Sequence, residues 1–335
     1  MNRRHFVKNS SQASLALALL GLTACKNNPS EKADHPPPAK LPDASPFFKL
    51  SLAQWSIHRM IREGDLSPYD FAAKAKAWGF EGLEYVSQLY TNEINSFDNE
   101  MDGINTVMDR LKAESAKYGL TNLIMMVDLP GDEGSLCHPD EAIRTAAIKN
   151  HHKWIDATAR LGCHSTRINL FGTRDRDQWK ALATESLTAL CEYGKEQGVN
   201  IIVENHGWLS SDAALLAEVM TAVNMDNCGT LPDFGNFCVE RDGEGNWGGD
   251  CIKEYDRYQG TKELMPFAKG VSAKSHNFNA EGEETATDYK KMLTIVKDAG
   301  YTGFIGVEYE GDELSEEEGI LATKQLLLET AKTLS

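Results

Sequence analysis

None of the seven cysteines forms a Cys-x-x-Cys pair, which excludes zinc-ribbon and thioredoxin-type sites. No apolar run reaches the roughly 20 residues needed to cross a bilayer. Positive charge is scarce: 34 Lys and Arg face 50 Asp and Glu, a net charge of −16. Such a surface repels phosphate backbones, so nucleic acid is not an expected partner. No glycine-rich phosphate loop follows the first strand pattern at 49–57, which argues against an open dinucleotide-binding sheet. What is present is a 335-residue chain, 41% hydrophobic and 25% charged, with room for a large core.

The first 25 residues, MNRRHFVKNSSQASLALALLGLTAC, combine a basic start, a short apolar stretch and a small-residue end, the pattern of an export signal. Arg3-Arg4 followed by His5, Phe6 and Val7 resembles a twin-arginine (Tat) signal. Leu22-Thr23-Ala24-Cys25 resembles a bacterial lipobox, in which Cys25 is lipidated and becomes the new N-terminus. The expected product is a lipoprotein on the periplasmic side of the membrane or on the outer membrane. Residues 25–46 are polar and proline-rich, too poor in apolar groups to fold, and read as a tether. As flexible coil it would reach roughly 25 Å. Removing residues 1–24 takes Arg3, Arg4 and Lys8 and leaves 31 basic against 50 acidic side chains, −19. Cysteines 137, 163, 191, 228, 238 and 251 are expected as buried free thiols, with one or more disulfides as the alternative.

From residue 47 the pattern alternates. Strands are expected at 49–57, 80–86, 121–127, 164–170, 199–205, 228–234, 269–276 and 304–310. Helices are expected at 67–79, 102–118, 140–162, 176–197, 211–223, 252–267, 285–299 and 315–333. Eight strand–helix units in one domain spanning 47–335 predict an α/β fold, the closed (β/α)8 (TIM) barrel, with a parallel sheet. The acidic, glycine-rich stretch 240–251 reads as a long loop above the barrel.

Active sites of such barrels lie at the carboxyl ends of the strands. There, four consecutive strands deliver Glu204, Asp233, His276 and Glu308. Three carboxylates in one cavity repel each other, and a divalent cation would remove the conflict. Oxygen ligands with one imidazole suit Mn²⁺ or Mg²⁺, with Co²⁺ or Zn²⁺ as alternatives.

This ordered set, the eight units and the strings VENHG, LPDFGNF and GVEYEG resemble the sugar phosphate isomerase/epimerase superfamily, the xylose isomerase-like TIM barrels. The resemblance implies that Glu204, Asp233, His276 and Glu308 bind one divalent metal and that Glu204 and Glu308 act as an acid/base pair. It implies a sugar, keto-sugar or related polyol as substrate. The metal would acidify a C–H beside a carbonyl, and a glutamate would take the proton to give an enediolate. One departure is Asn236, where ketose 3-epimerases of this pattern carry histidine; this argues against free-ketose 3-epimerisation.

Further candidates for substrate binding are His206, Asn236, Lys274, Arg167, His58 and Glu84, with Asn169, Trp55 and Trp208 beside them. Each has an ordinary alternative: a snorkelling lysine, a strand-end cap, a core tryptophan. A metal-assisted lyase or dehydratase shares the proton-abstraction step, and a non-catalytic carbohydrate-binding lipoprotein is the non-enzymatic alternative. An endonuclease IV-like role is disfavoured by the acidic surface. The oligomeric state is left open, a homo-oligomer included.

Cys25→Ser is expected to abolish lipid labelling. Radiolabelled palmitate should mark the full chain in the membrane fraction of expressing cells and leave the variant unlabelled.

Overall fold

Eight short runs of β-branched, apolar and small residues form parallel strands. They are β1 (Lys49–Ala53), β2 (Gly82–Val86), β3 (Thr121–Met126), β4 (Ser165–Ile168), β5 (Asn200–Glu204) and β6 (Cys228–Leu231), then, after a hairpin of β7 (Cys238–Arg241) and β8 (Cys251–Glu254), β9 (Val271–Ser275) and β10 (Phe304–Tyr309). This computed structural model describes residues 45–334. The signal segment, Cys25 and the linker up to residue 44 lie outside the described residues. The strands pair in the order β6-β5-β4-β3-β2-β1-β10-β9, and the bridges Thr230↔Ala268 and Asp233↔Ser272 join the two ends. The sheet thereby curls into a (β/α)8 barrel, the expected fold.

A helix follows each barrel strand, the main ones being Glu100–Tyr118, Glu141–Leu161, Arg176–Gln197, Ala213–Val223 and Glu316–Thr333. Their starts are set by side-chain caps. Asp140, Asp175, Asp212, Asp256 and Asp288 each accept a backbone N–H of the first turn, and Ser315 with Glu318 forms a capping box. Gly119, Gly162 and Gly198 end three of the helices in the left-handed conformation. One apolar layer lies between strands and helices and includes Leu52, Leu83, Met125 and Val307. A second, smaller cluster of Ala53, Val86, Ile124, Met126, Ile202 and Leu231 joins strands across the barrel. Among the described residues no helix is long and apolar enough to cross a membrane.

Three expectations are corrected. The stretch 240–251 is not simply a loop: it is flanked by the antiparallel pair β7·β8, closed by a Cys238–Cys251 disulfide. Hairpin pairing brings two cysteines 13 residues apart to a Cα–Cα distance of 5.8 Å, within disulfide reach. These two are therefore not free thiols, while Cys137, Cys163, Cys191 and Cys228 are free and buried. Because residues 251–254 pair as β8, the helix expected from 252 begins only at Arg257.

His151 sits on the inner face of the helix Glu141–Leu161, 1% exposed, with Nδ1 2.8 Å from the Ala147 carbonyl. Burial pushes its pKa down from 6.5 to about 4. The unfolded chain therefore takes up this proton first, and the stability present above pH 6.5 is lost as pH falls towards 4. At pH 5 the loss from this residue is about 2 kcal/mol. Urea midpoints at pH 7 and pH 5 should differ less in His151→Gln than in the unmodified chain.

Candidate active site

Every second residue of a barrel strand faces the interior, so residues two apart near the strand ends stack in layers. β9 carries Ser272 and then Lys274; Arg167 of β4 is followed by Asn169, Glu204 of β5 by His206 and Glu308 of β10 by Glu310, each of these three followers just past its strand's end. Asp128 follows β3 and Asp233 follows β6. Above them opens a cavity of about 1160 Å³ whose polar wall includes Asp128, Arg167, His206, Lys274, Glu308 and Glu310.

Glu204, Asp233 and Glu308 converge. Each offers a carboxylate oxygen within 4.8 Å of the others, and all three are buried. By distance alone, the three could hold a metal ion. The fourth expected ligand, His276, is not among them. β9 ends at Ser275, so His276 is carried about 7 Å above Lys274, out to the rim. Its side chain is 47% exposed, with Nε2 4.0 Å from Glu310. The inward residue of β9 at this level is Lys274, 2% exposed, with Nζ 3.2 Å from Glu310, 3.6 Å from Glu308 and 3.8 Å from Asp233. Its positive charge lies against two of the three convergent carboxylates and opposes a divalent cation there. As they stand, the residues do not fit a resident metal in the expected four-ligand arrangement.

The carboxylates are already served by protein donors. Asp233 Oδ1 accepts the backbone N–H groups of Gly235 and Asn236 at 2.8 and 2.7 Å. Asn236 Nδ2 donates to Glu204 Oε1 at 3.0 Å, and Arg167 Nε lies 3.1 Å from Glu204 Oε2 as an ion pair. Arg167 Nη1 also donates to Asp128 Oδ1 at 2.7 Å. Burial alone would raise the Asp128 carboxyl, but Arg167 holds it down at about 2. Burial works against the Lys274 ammonium in the same way, and Asp233, Glu308, Glu310 and Glu204 outweigh it and hold its pKa well up.

The Ser272 hydroxyl lies 2.7 Å from Asp233 Oδ2 and 2.8 Å from Glu308 Oε2. One hydroxyl carries one hydrogen and can donate to only one of them. The other contact is a hydrogen bond only if that carboxyl itself is protonated. Burial pushes both carboxyls upward, against the pull of Lys274. The Asp233–Ser272–Glu308 group is thereby biased towards holding a proton. Glu308 faces the cavity and can exchange it; Asp233, 0% exposed, does not line the cavity.

His206 lines the cavity with Nδ1 2.7 Å from Asn169 Oδ1. That oxygen also accepts from Arg167, so His206 donates through Nδ1 and leaves Nε2 as an acceptor. Burial, helped by Arg167, pushes its pKa down to about 3, so the ring is neutral.

The remaining sequence candidates lie elsewhere. Glu204 is 1% exposed and does not line the cavity. Glu84 is buried below the site, where Ser51 donates to it at 2.6 Å and burial raises its pKa to about 7. Gly306 makes the room, since a Cβ there would fall 2.5 Å from Glu84 Oε1. His58 stacks on Trp55 at 4.2 Å beside Glu316 and does not line the cavity, whereas Trp55 does. Sequence reasoning missed Asp128, Ser272 and Glu310. The signal for the last two was present, because each lies two residues from an inward side chain, Ser272 from Lys274 and Glu310 from Glu308.

The hairpin completes the cavity wall. Trp247, between β7 and β8, packs on His206 at 4.5 Å and on Phe171 at 5.9 Å. Trp208 has φ 55°, a left-handed backbone rare for its type, and its indole N–H donates to the Asn246 carbonyl.

A (β/α)8 barrel with a buried cluster of acids at the carboxyl ends of its strands defines the class of protein. Residues 72–330 match the profile of the family described as xylose isomerase-like TIM barrel, and the chain belongs to that family. No curated protein matches the sequence. Among solved structures it is similar to D-psicose 3-epimerase with D-tagatose from Clostridium cellulolyticum H10, at 14% identity and a TM-score of 0.62, covering 85% of this chain and 99% of that one. It is also similar to an IOLI protein with a bound zinc atom, at 15% identity and a TM-score of 0.59, covering 85% and 99%. The 3-keto-D-glucoside 4-epimerase YcjR from E. coli matches at 13% identity and a TM-score of 0.57, covering 84% and 98%. At these identities the likeness is one of fold.

Replacing Arg167 with Met would leave Asp128 and Glu204 unpaired in a buried setting. A loss of about 3–5 kcal/mol is expected from chemical denaturation, with a smaller loss for Arg167→Lys.

Proposed function

We propose that this chain is a carbohydrate-transforming enzyme of the isomerase/epimerase type, acting on a keto-sugar, a sugar or a related polyol by proton transfer beside a carbonyl. The observation that carries this reading is Glu308: a buried carboxyl linked to Asp233 through the Ser272 hydroxyl and facing a polar cavity. A carboxyl with a raised pKa can both give and take a proton near neutral pH. Arg167, His206 and Asn236 offer donors and one acceptor for sugar hydroxyls, and Trp55, Phe171 and Trp247 offer apolar faces for the ring.

The geometry favours chemistry with a single cavity-facing acid/base group. Epimerisation by two groups needs them on opposite faces of the substrate. Glu204, the expected partner, is covered by Asn236 and Arg167. Glu310 follows Glu308 by two residues at the same end of β10 and so approaches from the same side. His206, with its depressed pKa, is too weak a base. Isomerisation with return of the proton on one face, or abstraction followed by loss of a leaving group, needs only Glu308. The metal dependence implied by the resemblance is not carried over, because Lys274 stands among the carboxylates.

Export and a lipid anchor at Cys25 belong to the same proposal. The sequence of residues 1–25 supports them, and the Cys238–Cys251 disulfide fits an oxidising compartment.

Incubating the chain with a panel of keto-sugars in D₂O tests the reaction. Deuterium should enter the substrate carbon next to the carbonyl, with retention where starting sugar is recovered. Glu308→Gln should slow exchange by roughly 10²–10⁴-fold and Glu204→Gln by less. Deuterium at an inverted carbon would overturn the single-group reading. No exchange with any sugar would favour a carbohydrate-binding role.

A further inference from the structure

We infer that Lys274 is the resident cation of this site: its ammonium stands among Asp233, Glu308 and Glu310, against two of the three carboxylates that could hold a divalent ion, and the proton transfer runs without a metal. The inference rests on the reading of this cavity as a proton-transfer site, but its binding test does not.

Several features of the chain lead to it. Lys274 has the inward register of β9, two residues after Ser272, whose hydroxyl touches both Asp233 and Glu308. Its Nζ lies 3.2–3.8 Å from three carboxylates with the side chain 2% exposed, so it is part of the cluster and not a snorkelling surface lysine. The chain makes room for its stem: a Cβ on Gly235 would come within 3.3 Å of Lys274 Cγ and Cδ. Finally, the nitrogen donor that would complete a metal site, His276, is at the exposed rim. Oxygens that a metal would need already accept N–H groups of Gly235 and Asn236 and the Asn236 amide, or pair with Arg167.

The substitution of charge has a chemical consequence. An enediolate develops one negative charge on an oxygen, and a fixed ammonium can donate a hydrogen bond to it without reorganising. Lys274 lines the cavity and has three N–H donors. It is a catalytic residue in this reading, placed to hold the substrate carbonyl oxygen while Glu308 moves the proton. The proton leaves carbon for the Glu308 carboxylate and returns to carbon from the same group, so no oxidant, reductant or metal is consumed.

Calorimetric titration of the full chain with Mn²⁺ tests the inference directly. The unmodified chain should bind no stoichiometric ion. Lys274→Ala and Lys274→His should each bind one ion per chain, tighter than the unmodified chain by roughly 100-fold or more, because a like charge has left the centre of the carboxylates. Lys274→Met provides a third variant should either fail to fold, as judged by circular dichroism. With a keto-sugar that exchanges in D₂O, the unmodified chain should keep its rate after exhaustive chelation, and Lys274→Ala should lose it by roughly 10²–10³-fold. Stoichiometric Mn²⁺ binding by the unmodified chain, or exchange that chelation abolishes and Mn²⁺ restores, would overturn the inference. Absence of exchange would count against the proposed reaction and leave the titration to decide the cation.

Discussion

At the carboxyl ends of the strands, Asp128, Glu204, Asp233, Glu308 and Glu310 gather round only two cations, Arg167 and Lys274. Unpaired charge in such a setting costs several kcal/mol per ion, so the surrounding structure is arranged to compensate it. Arg167 bridges Asp128 and Glu204 on one side, and Lys274 sits among Asp233, Glu308 and Glu310 on the other. Burial biases the Asp233–Ser272–Glu308 group towards holding a proton, which would reduce the residual negative charge. Glu308 is also the side chain the proposed chemistry uses, so charge balance and reactivity meet in one group.

The backbone around the cluster is fixed to serve this arrangement. Asn205 accepts from the Asp233 N–H at 2.7 Å and donates to the Asp233 and Asn236 carbonyls, both at 3.0 Å. It thus locks the turn after β6 against the end of β5, which puts Asn236 over Glu204 and Gly235 beside the Lys274 stem. A buried side-chain amide satisfied on both sides positions its neighbours more sharply than packing alone would. Above, the disulfide-closed hairpin brings Trp247 against His206 and makes the outer part of the cavity aromatic.

The barrel was legible because it rests on local signals: alternating strand and helix patterns, aspartate caps and terminal glycines recur along the chain. Glu204, Asp233 and Glu308 were legible because each ends a strand. The hairpin was not, since Cys238 and Cys251 become partners only once residues 238–254 fold back. The difference between Lys274 and His276 was also hidden. Both have the same parity, and only the folded chain shows that Lys274 reaches the cluster while His276 stands at the exposed rim.

The sequence by itself determined the eight-unit barrel and the acids at the carboxyl ends of its strands, because composition and periodicity carry those directly. The tertiary structure decided what balances the acids. It carried His276 out to the rim, set Lys274 among the carboxylates and covered Glu204 with Asn236 and Arg167. Depth along a strand and distance between strands are properties of the closed barrel, and no spacing in the linear chain records them.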